Sequence, residues 1–417
     1  MIPVFEKYLA KHPKFIEPIN TYPNKRLNNL IIIPVYNEPN AINTLKSLKN
    51  CNPAKQYSEV IIIINHCEYS PQEIKEQNHK SLNELSAWCE INSTIQLRFH
   101  ILFFPNMPKK YAGVGLARKI GMDEAVSRLS RIKNKNGILI SLDADTTVSK
   151  NYLVDIEKTF AENQKLNTLL PWFEHQIKTE TPEVQKAIIQ YELYLRYFKL
   201  ALKFTNFPYA YHTIGSAFAV KAMAYVKQGG MNKKQGGEDF YFLQKVFCLG
   251  YTKEINHVKV FPSGRISDRV PFGTGPAIGK IISDGDFLTY QPNYFFYLKE
   301  FFSQINKFYN NTSSEIATLY HSTDKTIQDF VPLEDFQNKI SEIKNNSSTI
   351  DSFRNRFFQW FDAFKVIKYL NTNHNAANRI PIINAANAFL SIVGDNQNKK
   401  YNALELLNKL KDFEINT

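Results

Sequence analysis

Short apolar runs alternate with amphipathic stretches through the first half of this 417-residue chain, and that alternation constrains the fold more than any other feature. Leu30 to Val35, Val60 to Ile64 and Gly137 to Leu142 carry branched apolar side chains at nearly every position. A strand apolar on both faces needs cover on both, as in a parallel sheet with helical crossovers. Ile95 to Phe104, Asn167 to Phe173, Ile214 to Val220 and Ile255 to Phe261 read as further strands. Between them, helical patterns run through Leu48, then from Pro71 to about Glu90, Ala112 to about Arg131, Pro182 to Phe204 and Glu238 to Leu249. The tyrosines and phenylalanines of the Pro182 helix (Tyr191, Tyr194, Tyr197, Phe198) fall on one broad face, which core packing explains best. Beyond Gly285 the texture changes: Asn293 to Phe308, Phe353 to Leu370 and Ala386 to Phe413 look helical. The expectation is an α/β protein with a mostly parallel sheet flanked by helices, followed by a helical C-terminal region.

Composition narrows the partners without naming one. A net charge of +12 and a pI near 9.2 favour anionic ligands: nucleic acid, an anionic membrane surface or a phosphate-bearing small molecule. The lysines are spread along the chain and no nucleic-acid motif accompanies them, so no nucleic-acid partner is expected. No apolar run approaches the roughly 20 residues needed to cross a bilayer. The N-terminus lacks the basic-then-apolar order of a secretory signal. Four cysteines with neither close pairing nor ligand spacing suit reduced thiols. A cytoplasmic protein is expected. The aromatic stretch Tyr290 to Lys299 suggests peripheral contact with the inner face of a membrane; packing or self-association explains it equally well.

Six clusters sit at strand ends or in loops, where parallel sheets build their sites. Asp143-Ala144-Asp145 follows the Gly137 strand. Two carboxylates so close repel unless a cation sits beside them, and a hard divalent ion that also grips a diphosphate is one solution. Solvated turn aspartates are the other. Pro34-Val35-Tyr36-Asn37-Glu38 leaves the first strand, with Glu38 a candidate acceptor for a base or ribose. Asn65 and His66 leave the second, placed to edge a base. Gly113 to Gly121 opens the helix before the acidic strand, and its Arg118 suits a phosphate or one of the aspartates. Gly236-Gly237-Glu238-Asp239 starts another helix, where carboxylates either cap or supply a general base. Past the last strand, Arg265-Ile266-Ser267-Asp268-Arg269 precedes Phe272-Gly273-Thr274-Gly275. Asp268 is a candidate to complete a metal shell, and the glycines suit a closing loop.

In this order the pieces resemble glycosyltransferase family 2, a group with the Rossmann-like GT-A fold. Pro34 to Glu38 looks like that family's opening strand motif, and Gly115 to Gly121 like its glycine–alanine–arginine segment. Asp143-Ala144-Asp145 is similar to its metal motif, and Gly236 to Asp239 to its acceptor-side acidic motif. The likeness covers roughly residues 28 to 270. It implies a layout of an N-terminal segment (1–27), a GT-A catalytic domain (28–285) and a helical region (286–417). Within the catalytic domain the nucleotide-sugar half ends near 145 and the acceptor half follows.

The resemblance implies a nucleotide-diphospho-sugar donor, a Mn²⁺ or Mg²⁺ ion, and a glycan, glycolipid or small hydroxyl acceptor. Donor contacts would come from Pro34, Tyr36, Glu38, Asn65, Arg118, Asp143 and Asp145. Asp145 would ligate the metal, with Asp143 on ribose or metal. Asp239 would deprotonate the acceptor and Glu238 bind it, which favours inversion at the sugar. Two positions depart from the pattern. Asp268 stands where many relatives carry a histidine metal ligand, with His257 as its rival. Asn65-His66 replaces an aspartate that reads uracil, so the base is left open. A retaining transferase, a nucleotidyltransferase and a silent nucleotide-sugar-binding protein are the competing readings. Oligomeric state is not legible.

Overall fold

The computed structural model describes residues 2–12, 19–177, 180–270, 272–373, 378–394 and 399–416. The chain divides into two compact units, one of residues 1–184 and 213–279, the other of 185–212 and 280–417.

The first unit is built on eight strands: β1 (Leu27–Val35), β2 (Tyr57–Cys67), β3 (Leu97–Met107), β4 (Ile138–Ser141), β5 (Thr147–Val148), β6 (Thr168–Phe173), β7 (Phe218–Lys221) and β8 (Thr252–Phe261). Their order in the sheet is β3-β2-β1-β4-β7-β6-β8-β5. β3, β2, β1 and β4 run parallel, as do β6 and β8, whereas β7 is antiparallel to both β4 and β6. The sheet is therefore mostly parallel, as the alternation implied. The reversal at β7 carries no signal in the sequence.

The helices of this unit are α1 (Pro3–Lys11), α2 (Ala41–Lys49), α3 (Gln72–Asn92), α4 (Val114–Arg131), α5 (Tyr152–Glu162), the start of α6 (Pro182–Phe204), α7 (Ala222–Lys227), α8 (Glu238–Phe247) and most of α9 (Thr274–Asp284). Leu30 to Ile33 and Val60 to Ile64 are each no more than 1 % exposed, so β1 and β2 form the floor of the core. α4 lies close on that floor. A side chain at Gly121 would meet Ile32 and Ile63 at 2.6 Å, so only glycine permits the approach. Pro34 costs the ladder nothing: Ile32 accepts from Leu142 on the β4 side, and β4 ends before it reaches Pro34. In the N-terminal segment, α1 is tied to α4 by Ile2 N–H donating to Ser130 and by the Tyr8 hydroxyl donating to Asp123. Residues 1 and 13–18 of that segment lie outside the described residues.

The second unit is helical, as expected beyond 285, and also takes in the body of α6. A two-stranded antiparallel ribbon, β9 (Leu288–Thr289) with β10 (Ile380–Pro381), accompanies nine helices among the described residues. These are α10 (Pro292–Ser303), α11 (Ile305–Asn310), α12 (Ser313–His321), α13 (Lys325–Phe330), α14 (Leu333–Asn345), α15 (Ile350–Trp360), α16 (Ala363–Asn373), α17 (Ile382–Ile392) and α18 (Ala403–Asn416). Rings fill its core: Phe301 meets Phe302, Phe308, Phe336, Phe357 and Phe361, each at a tilt. Tyr197 and Phe198 of α6 pack on Phe295, so that aromatic face is core. Within Tyr290 to Lys299, Phe295 and Leu298 are likewise buried and Phe296 is 40 % exposed. A buried ion network holds α18: Arg196 pairs with Glu192 and, at 2.7 Å, with Glu414, which also meets His212 at 3.0 Å. Among the described residues no helix is long and apolar enough to cross a membrane.

Several boundaries differ from the sequence expectation, each for a local reason. The apolar run Ile214 to Val220 becomes strand only from Phe218, because 213–217 is a loop pressed onto the site described below. Asn293 to Phe308 breaks into α10 and α11 at Gln304, and Ala386 to Phe413 into α17 and α18. Residues 395–398 of that last stretch lie outside the described residues. Thr274 and Gly275 open α9 rather than a loop. A side chain at Gly275 would meet the Ser267 backbone at 2.6 Å, so this glycine serves close packing.

Candidate active site

At the carboxyl end of β4 the chain turns, Thr146 N–H donating to the Asp143 carbonyl, and presents Asp143 and Asp145. Arg118, in the first turns of α4 and 2 % exposed, donates to Asp143 at 2.5 Å through one guanidinium nitrogen. Through the other it donates to Glu238, the first residue of α8. One buried cation thus joins segments that start 120 residues apart. Asp239 follows Glu238, and its Oδ1 accepts from Phe240 N–H at 2.7 Å. The floor beneath this group is Gly215, where an added Cβ would lie 3.0 Å from both Arg118 and Asp239. An isolated glycine inside an apolar run is a sequence sign of such close approach.

A second cluster meets Asp145. Arg269 donates to it at 3.0 Å, and Arg265 lies 3.7 Å away. The same two arginines also donate to Glu38, which is 1 % exposed. Glu38 is held from the other side by Asn40 N–H at 2.8 Å, so its carboxylate is an anchor for the arginine-bearing segment. Arg269 is braced by Ser267 at 2.8 Å.

These contacts set the proton affinities. Lost hydration and then repulsion from Glu238 push the Asp239 carboxyl up to about 7, against the opposing pull of Arg118. Asp145 is raised by lost hydration and by Asp143, with Arg269 and Arg265 pulling the other way.

Asn65 lies within β2, two residues short of its end at Cys67. It is 1 % exposed, and among the described residues neither its nitrogen nor its oxygen has a hydrogen-bond partner. A buried amide left unpaired is costly, about 1–3 kcal/mol, which points to a ligand or a water as its natural partner. Beside it, Asn78 of α3 accepts from Asn37 N–H at 2.9 Å and donates to the Asn65 carbonyl at 2.9 Å. Its NH₂ therefore also faces His66 Nδ1 at 3.1 Å, so the neutral imidazole carries its proton on Nε2. Asn37 adopts a positive φ of 50°, which asparagine tolerates, and this lets the chain turn after β1. Pro34 is buried in β1, and Tyr36 is half-buried just past it.

The two remaining sequence candidates stand apart. Asp268 is exposed, while its neighbour Arg269 is the side chain that reaches Asp145. His257 lies 3.6 Å from Asp155. Among the described residues no group of three or more His, Cys, Asp or Glu is arranged to hold a metal ion. Asp143 and Asp145 still fit a hard cation as a two-carboxylate set, since a diphosphate ligand brings oxygens of its own. Charge favours the same fit: five carboxylates (38, 143, 145, 238, 239) face three guanidinium groups (118, 265, 269), a formal deficit of two positive charges.

No protein-family model matches the chain, and no curated protein matches it. Among solved structures the chain is similar to S. aureus TarS residues 1–349 in complex with UDP-GlcNAc. The identity is 13 % over 80 % of this chain and 92 % of that one, with a TM-score of 0.42. It is also similar to mannosyltransferase PcManGT from Pyrobaculum calidifontis in complex with GDP-Man and Mn²⁺. There the identity is 14 % over 88 % of this chain and 84 % of that one, with a TM-score of 0.37.

Proposed function

We propose that this chain is a GT-A-type glycosyltransferase that moves a sugar from a nucleotide-diphosphate donor to an acceptor hydroxyl with inversion. The observation that carries the reading is Arg118, which unites Asp143 with the Glu238–Asp239 pair at the carboxyl ends of the parallel strands. Two acidic segments remote in sequence are thereby held by one cation, which supports a shared site for donor and base. Asn65 reads the base edge of the nucleotide, and Tyr36 lines the same end of the site.

The acceptor oxygen attacks the anomeric carbon as the bond from that carbon to the diphosphate breaks, and the acceptor proton passes to Asp239. A base near pH 7 is matched to this task. Glu238 holds Arg118 and raises the proton affinity of Asp239. Arg265 and Arg269, held beside Asp145 by Glu38, stabilise the charge of the departing diphosphate. A bound Mn²⁺ or Mg²⁺ supplies Lewis-acid charge neutralisation, and Asp143 and Asp145 are the residues that would hold it. Asp268 joins them only if its segment shifts.

The test is calorimetric titration of UDP and GDP with and without Mn²⁺, together with hydrolysis of the matching sugar nucleotides. Metal-dependent binding abolished by Asp145→Ala, with turnover but not binding abolished by Asp239→Asn, supports the reading. A parent that binds neither nucleotide with or without metal overturns it.

A further inference from the structure

α1 stands outside the eight-stranded sheet, yet it meets the segment that leads to Glu238 and Asp239. The contact is a buried polar knot. Tyr8 of α1 and Tyr225 of α7 both donate to Asp123 Oδ1 at 2.7 Å, and Lys119 pairs with Asp123 Oδ2 at 2.9 Å. Lys119 also donates to the Tyr8 hydroxyl at 3.0 Å. Burial and then the Asp123 charge raise the proton affinity of both tyrosines, so each stays a donor.

The knot bears on the chain just past α7. Gly230 has a φ of 74°, and an added Cβ there would lie 1.9 Å from the Tyr8 hydroxyl and 3.1 Å from that of Tyr225. Only glycine fits beneath the knot. The Tyr225 hydroxyl also accepts from Met231 N–H. From there the backbone is pinned on its way to α8. Asn232 accepts from Lys234 N–H at 2.9 Å and donates to the Glu238 carbonyl at 3.2 Å. Gln235 donates to the Lys109 carbonyl at 2.9 Å.

α4 is the rail along which this segment lies. Gly115, Lys119 and Asp123 recur every fourth residue and so share one face of the helix. At Gly115 a Cβ would lie 2.0 Å from the Lys234 carbonyl and 3.1 Å from Glu238 Cβ, and Arg118 grips the Glu238 carboxylate. The segment 230–237 is therefore held at its start by the knot and at its end by Gly115 and Arg118. Loss of the knot leaves the start free to shift, and the shift reaches Asp239 through a short run of pinned backbone.

We propose that Tyr8 and Asp123 are positioning residues: α1 acts as a clasp that fixes the segment 230–237 and, through it, the Glu238–Asp239 pair. The inference rests on the transferase reading only for its effect on turnover.

The full chain is compared with Tyr8→Phe, Asp123→Asn and a control, Tyr22→Phe, which removes a hydroxyl bonded to the Arg131 carbonyl at the C-terminal end of α4. Hydrogen exchange followed by mass spectrometry needs neither donor nor turnover. In Tyr8→Phe and Asp123→Asn the amides of 230–241 exchange at least about 10-fold faster, while those of β1 and β2, and all those of the control, keep the parent's rates. On the sugar nucleotide that the parent turns over, the two variants lose about 10–100-fold in kcat and keep the donor KM within about 2-fold. Faster exchange confined to α1 overturns the proposal. So does an equal gain across β1, β2 and 230–241, which a purely structural knot would give, or a loosened segment with the parent's kcat. A parent that turns over no sugar nucleotide defeats the transferase reading instead, and the exchange measurement then decides the clasp alone.

Discussion

Arg118 and Glu238 form an ion pair in which both side chains are at most 3 % exposed. Removing either partner strands the other's charge away from water, a loss of about 3–5 kcal/mol. Arg118→Met therefore unfolds at markedly lower denaturant concentration than the parent. Arg118 also lowers the proton affinity of Asp239, so whatever activity survives shifts to higher pH. Chemical denaturation and a pH–rate profile on one protein sample check both. An Arg118→Met profile that moves to lower pH contradicts the assignment.

In the proposed transfer, Asp239 as the base sets the pH dependence. A base that is protonated below about 7 makes turnover climb as pH rises through that value and level off above it. Asp239→Asn lowers kcat by about 10²–10⁴-fold and leaves donor affinity in place. Stability runs the opposite way. The folded carboxyl binds its proton more tightly than the unfolded one, near ~3.9. Its contribution is thus fully present below that value and lost as pH rises through about 7.

Asn65→Leu separates a binding group from a structural one. Among the described residues both polar atoms of this buried amide lack partners, so an apolar side chain of similar size raises the unliganded melting temperature. The same change removes the proposed base contact and is expected to weaken nucleotide binding by about 10–100-fold, the scale of one or two lost hydrogen bonds. Paired melting curves with and without UDP or GDP measure both. A variant that is less stable and binds nucleotide normally contradicts the role.

In the helical unit, Glu414→Ala leaves Arg196 buried without its 2.7 Å partner and destabilises that unit by about 3–5 kcal/mol. Against the loss of hydration, His212, Arg196 and Lys199 hold the Glu414 carboxyl down to about 2. Its contribution is complete above the unfolded value near ~4.3 and drains away as pH falls toward 2. Urea melts at pH 6 and pH 3 check this: the parent loses stability between them by more than Glu414→Gln does.

Periodicity made the parallel strands legible, because β1, β2 and β4 must be apolar on both faces and few other structures demand that. The acidic pairs were legible for a similar reason, since Asp143, Asp145, Glu238 and Asp239 stand at strand or helix ends with little packing reason to be there. What escaped the sequence is pairing across space. The grip of Arg265 and Arg269 on Glu38 spans more than 220 residues and leaves no local pattern. The start of β7 escaped too, because Ile214 to Ala217 is apolar enough for a strand while its glycine is pressed against Arg118.

The guanidinium at 118 has a consequence for anyone who would rebuild this protein. It makes the two segments it joins a matched set: a graft bringing a new α8 without an acid at its first position would take from a buried cation one of its two carboxylate partners. Under the proposed function, a change of acceptor is therefore to be sought in the loop ahead of that helix, where exchange leaves the buried ion pair in place.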